Sequence, residues 1–101
     1  GDMERARPEW EKAVELNPEY SEAWNHLGNY YQLSGDYAKA LAMYEKAVAI
    51  NPFNAETNYN AAILYEARGE TEKARKHYRL FIRYAGPEYK DVVEEVKKGH
   101  L

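Results

Sequence analysis

The chain has 101 residues, 45% of them hydrophobic and 31% charged, with a net charge of −3. This is apolar enough for one modest core and too apolar for a disordered chain, while the acidic balance argues against a general nucleic-acid surface. No apolar run reaches the roughly 18 residues of a membrane span, and the absence of cysteine removes disulfides, thiol nucleophiles and thiolate metal sites, leaving the compartment open.

In chain order, the first predicted helix ends before Asn17-Pro18 and contains Pro8, which cannot donate to the carbonyl of Glu4 and disfavours helical geometry at Arg7. That helix is therefore expected to start near Pro8 or to kink there. A second helix should be capped by Ser21 and run to about Ser34, with Trp24, Leu27 and Tyr31 on one apolar face and Trp24 largely buried. Gly35 supplies a left-handed terminator and Asp36 a cap for a third helix, which carries Tyr37, Ala40, Leu41, Tyr44, Ala47, Val48 and Ile50 and stops at Asn51-Pro52. Two further helices are expected at about 55–68 and 71–84. From Pro87 an amphipathic helix follows, with Tyr89, Val92, Val93 and Val96 on one face.

A shift of 34 residues lays the chain on itself. Gly1, Gly35 and Gly69 coincide, as do Ala6, Ala40 and Ala74, then Trp10, Tyr44 and Tyr78, then Val14, Val48 and Ile82. Helix breakers, small residues and large apolar residues all stay in register, so the chain is an array of two-helix repeats. Gly28 sits inside a helix at a cost of about 1 kcal/mol relative to alanine. It lies seven residues before the turn glycine Gly35, and Ala40 lies five after it. The two small residues are expected to face each other and let the helices approach, with Ala62 and Ala74 as the next such pair.

The run W-N-H-L-G-N-Y-Y at 24–31, followed by Ala40, Tyr44 and Pro52, resembles the tetratricopeptide repeat, whose signature combines W-x2-L-G-x2-Y, A-x3-F and P. The resemblance implies an all-α fold of antiparallel helix-turn-helix repeats, a fragment of an α-solenoid. It divides the chain into the second half of a truncated unit (1–20), a complete unit (21–54), a divergent unit (55–86) and a C-terminal capping helix and tail (87–101), in one folded domain. In the divergent unit Asn58 replaces the Trp, Ala61 the Leu, and Phe81 a small residue expected to meet the terminal helix instead of another repeat. The opening at a turn glycine suggests a piece of a longer array.

Such repeats line an inner groove with their first helices and bind segments of other proteins there. Carried over by position, the groove presents Glu22, Asn25, Asn29, Gln32 and Leu33 from one unit, and Glu56, Tyr59, Asn60, Ile63 and Glu66 from the next. Three carboxylates with no lysine or arginine among these positions point to a basic segment with an apolar or aromatic anchor, and not to an acidic one. Met3, Ala6 and Trp10 would form an uncovered edge open to weak self-association.

No metalloprotease, nucleophile-elbow or phosphate-loop motif occurs, and His26, His77 and His100 read as surface histidines. No catalytic residue, cofactor or metal is therefore assigned, and neither nucleic acid nor membrane is expected as a partner. Arg75, Arg79 and Arg83, with Lys76 beside them, form a basic ridge. It reads most simply as a solvated face, the alternative being a contact for an acidic partner. The expectation is a protein-interaction module and not an enzyme, with self-association or an accessory role beside a catalytic domain as alternatives.

Overall fold

The computed structural model describes residues 2–101; Gly1, the first glycine of the repeat register, lies outside the described residues. Six α-helices follow one another among them: α1 (Asp2–Leu16), α2 (Ser21–Leu33), α3 (Tyr37–Ile50), α4 (Ala55–Ala67), α5 (Thr71–Tyr84) and α6 (Lys90–Gly99), the last preceded by a single 3₁₀ turn, Pro87–Tyr89. The chain divides into two compact units, one ending at Asn51 and one spanning Pro52–Leu101. Each is built on a helical hairpin, α2 with α3 and α4 with α5.

Both hairpin turns use the same device. Gly35 and Gly69 take φ values of +85° and +79°, a left-handed region that side chains with a Cβ disfavour. Around them the Asp36 N–H reaches the Tyr31 carbonyl at 2.9 Å, and the Glu70 N–H reaches that of Tyr65 at the same distance. These closures satisfy carbonyls that a helix end leaves orphaned. Asp36 then caps α3 by accepting from the Lys39 N–H, and Asn54 caps α4 through the Thr57 N–H. Ser21 does not cap α2: it is the first helical residue, and Tyr20 at the cap position contributes no side-chain bond.

In the N-terminal unit the core consists of Ala23, Leu27 and Tyr30 from α2 and Ala40, Leu41, Tyr44 and Ala47 from α3. Gly28 is buried, and the side chain nearest to it is that of Tyr44. A Cβ on Gly28 would lie 2.5 Å from the Tyr44 ring, which is fully enclosed. The small residue admits an aromatic ring between two backbones. α1 continues through Pro8 from Asp2, so the proline neither starts nor ends the helix. Glu4 and Pro8 are both exposed, so the one helical bond that Pro8 removes is lost at the surface. α1 docks on α2 through Tyr30, whose hydroxyl donates to the Glu4 carboxylate and accepts from Arg7 Nη1 at 3.2 Å. The bond to Glu4 pushes the Tyr30 phenol above its ordinary pKa.

Trp24 is half-buried, not enclosed: its indole N–H donates to the Pro18 carbonyl at 2.8 Å and Lys46 stands over its ring. The divergent unit explains itself against this. Asn58, one repeat later, donates its side-chain N–H to the Pro52 carbonyl at 2.9 Å, again six residues back. The amide keeps the donor of the indole and gives up its bulk. His77 approaches from α5, with Nδ1 2.8 Å from Asn58 Oδ1 and its ring stacked on Tyr65. Asn58 is 0% exposed, so this buried polar group is matched at both ends. Phe81 is enclosed between Tyr59 of α4 and Tyr89 of the 3₁₀ turn, as its departure from a small residue implies.

This packing sets the cost of substitution at three positions. Gly28→Ala, although it improves helix propensity, is expected to destabilise by about 1–3 kcal/mol because the enclosed Tyr44 ring must move, and Gly28→Leu by more. Asn58→Ala is expected to cost about 2–3 kcal/mol, since it removes the hydrogen bonds to the Pro52 and Asn54 carbonyls and to His77 Nδ1. Trp24→Ala, at a half-buried position, is expected to cost less than Asn58→Ala despite removing far more atoms. Urea unfolding of the four variants measures all of these.

Candidate functional site

The predicted binding residues lie on α2 in one unit and on α4 in the other, and each helix is described with its own hairpin. On α2, Glu22 is exposed in the first turn and Leu33 is 77% exposed at the last. Between them the face is less open than the sequence implies. Asn25 is buried at 8% exposure, so it belongs to the packing of α2. Asn29 and Gln32 are half-buried and both meet the Tyr44 hydroxyl, at 2.6 and 2.7 Å. Both contacts are to amide oxygens, and a phenol carries one hydrogen, so it donates to Asn29 Oδ1 or Gln32 Oε1 at any one time. That arrangement fixes both side chains at the edge of the α2 face.

On α4, Glu56 is exposed in the first turn, and Asn60 and Ile63 are half-buried. Tyr59 is drawn into the aromatic packing with Tyr78 and Phe81. Burial, reinforced by the Glu95 and Glu66 carboxylates, raises its phenol pKa. Glu66 is not the free carboxylate the sequence implies. It accepts from the Tyr78 hydroxyl at 3.0 Å and meets His100 Nδ1 at 2.8 Å, 34 residues away in sequence, while the His100 ring also packs on Tyr78. The Tyr78–Glu66 bond repeats the Tyr44–Gln32 bond one repeat later. Burial and that bond push the Tyr78 phenol strongly upward.

Of the histidines, expected as surface groups, His77 and His100 are half-buried and hydrogen-bonded, and exposed His26 stacks on Trp10 at 5.0 Å. Met3, Ala6 and Trp10, the proposed edge, are all half-buried, and α1 buries none of its residues completely. Among the described residues no group of three or more metal-ligating side chains converges, and no helix is long and apolar enough to cross a membrane.

The His100 bond, helped by Tyr78 and opposed by partial burial, holds the Glu66 carboxyl below its ordinary value of 4.5. Its folded-state pKa is thus lower than its unfolded one, so the stabilisation is present at neutral pH. It is lost as pH falls below about 4.5 through the folded-state value. Glu66→Gln is expected to lower the urea midpoint at pH 7 and to flatten its decline between pH 5 and 3, by roughly the ordinary contribution of a charged hydrogen bond. Parallel urea titrations across that range check the sign.

Comparison with known proteins agrees with this architecture. Sequence models of the tetratricopeptide repeat match residues 21–54 and 43–76, together more than half of the chain. No curated protein matches the sequence. Among solved structures, the type III secretion translocator chaperone SycD of Yersinia enterocolitica is similar with a TM-score of 0.82 at 22% identity, over 97% of this chain and 69% of that one. SycD has also been solved with a peptide of the translocator YopD. A chain of the CopN–Scc3 complex matches with a TM-score of 0.78 at 25% identity, over 96% of this chain and 58% of that one. MamA matches with a TM-score of 0.74 at 26% identity, over 91% of this chain and 52% of its own. The SycD likeness shows the fold; the two sequence matches, with the repeated turn and cap geometry, show that this chain belongs to the tetratricopeptide repeat family.

Proposed function

We propose that the chain is a protein-interaction module that holds a partner segment on the first helices of its repeats, α2 and α4, and that this segment is basic with an apolar or aromatic anchor. The observation that carries the reading is a repeated one. Glu22 and Glu56 occupy the same repeat position, both are exposed, and among the described residues neither is ion-paired. Exposed Leu33 on α2 and half-buried Ile63 on α4 supply apolar surface on the same helices. Gln32 and Asn29, fixed by Tyr44, offer amide edges with little side-chain entropy left to lose. Glu66 is left out of this set because His100 and Tyr78 hold it. The SycD–YopD peptide complex and the CopN–Scc3 complex support the reading, since both place proteins of similar fold in partner complexes.

Contact through a few exposed charges and two apolar side chains gives affinity near micromolar, about −8 kcal/mol, or weaker. A peptide-array screen followed by titration calorimetry is expected to select Lys- or Arg-bearing peptides with one apolar anchor. Their binding should weaken with salt, fall on Glu22→Lys and Glu56→Lys, and stay unchanged on Arg79→Glu. Selection of acidic peptides, or indifference to both glutamate reversals, contradicts the proposal.

A second reading, weak self-association through α1, is favoured by a helix that carries Met3, Ala6 and Trp10 and buries none of them completely. Trp10→Glu is expected to reduce any concentration dependence in sedimentation.

A further inference from the structure

The outward stripe of α5 has no role in the packing or in the binding faces above. Ala74, Tyr78 and Phe81 are the buried residues of this helix. At about 100° per residue, Glu72, Lys76, Arg79 and Arg83 fall opposite them, within about 60° of arc. All four are exposed. The neighbouring charges are paired: Arg75 with Glu72 at 2.9 Å, and Lys73 and Arg68 with Glu70 at 3.3 and 3.0 Å. Lys76, Arg79 and Arg83 have no carboxylate within ion-pair distance among the described residues. Arg83 lies over the Tyr84 ring, 5.7 Å from its centre, and Tyr84 meets the ring of Phe53 edge-on at 5.1 Å. Phe53 is 62% exposed. The stripe therefore runs from two solvated cations through a guanidinium to half-buried Tyr84 and exposed Phe53.

The repeat register supplies an internal control. One repeat earlier the positions of Lys76, Arg79 and Arg83 hold Ala42, Glu45 and Ala49 on α3; two repeats earlier they hold Pro8, Glu11 and Glu15 on α1. All six are exposed, so the hairpin geometry sets no requirement for cations there. Nor does the helix dipole, since α1 and α3 end with no basic residue in the last turn. Three unpaired cations about 10 Å end to end, recurring at helical spacing, match carboxylates that recur once per turn on an apposed helix.

We propose that this stripe is a docking face for an acidic helical segment of a partner protein, with an apolar side chain at the end that reaches Tyr84 and Phe53. Charge complementarity selects the partner and orients it, and the aromatic pair fixes the register. The stripe shares no residue with the α4 face of its own unit.

The probe is a synthetic helical peptide with Glu at i, i+4 and i+7 and Leu one turn further on, paired with its Glu→Gln counterpart, titrated into the full chain by fluorescence anisotropy. The expected result is binding of the Glu peptide about tenfold tighter than the Gln peptide, weakening with salt. Arg79→Glu with Arg83→Glu should abolish that difference and Phe53→Ser should reduce binding several-fold, while Glu56→Lys leaves it unchanged. Circular dichroism and thermal melting establish that the variants, all at exposed positions, remain folded. The proposal is overturned if the Glu peptide does not bind, or binds equally well to the double reversal. It is also overturned if phosphatidylglycerol vesicles capture the chain through these cations in preference to the peptide, or if the double reversal abolishes self-association, which assigns the stripe to a second copy.

Discussion

The structure depends on one contact: an aromatic ring from the second helix of a repeat seated against the backbone of the first. In the N-terminal unit Tyr44 lies so close over Gly28 that no Cβ fits between them. Its hydroxyl reaches through to Asn29 and Gln32. In the C-terminal unit Tyr78 holds the equivalent place, with Ala62 at the glycine position and the hydroxyl on Glu66. The enclosed ring supplies apolar burial, and its polar end finds a partner only because it emerges at the face of the first helix. The same residue that closes the hairpin therefore fixes polar side chains on that face.

The two units also show how a repeat absorbs substitution. Trp24 and Asn58 share little in size, yet both send an N–H to the carbonyl of a proline six residues earlier. What the repeat requires at this position is a donor that ties the incoming turn to the first helix. The volume of the indole is supplied differently in the second unit, where the His77 ring stacks on Tyr65 and bonds to Asn58. A second helix with histidine one repeat after Met43 is thus the complement of asparagine in place of tryptophan.

The repeat register, the turn glycines, the boundaries of α2 to α5 to within a residue or two and the all-α fold were legible in the sequence, because each rests on local signals with a fixed spacing. The side chain nearest to Gly28 was not. Counting residues from the turn pairs it with Ala40, but Tyr44, one helical turn further on, reaches it with a long side chain. Pro8 carries a strong local signal against a helix that the docking of Tyr30 on Glu4 and Arg7 outweighs. On the candidate faces, residue types identified Glu22, Leu33 and Glu56 as exposed. They could not show that Asn25 is buried, that Tyr44 holds Asn29 and Gln32, or that Glu66 is met by a histidine 34 residues away. Those are long-range contacts of single side chains, which leave no periodic trace.

A double-mutant cycle between Gly28→Ala and Tyr44→Leu, read by urea unfolding, tests the central contact most directly. If the Tyr44 ring is what excludes a side chain at position 28, the alanine becomes harmless or stabilising once the ring is removed. The two changes then couple by roughly 1 kcal/mol or more. Additive effects, with the alanine equally damaging in both backgrounds, contradict the account.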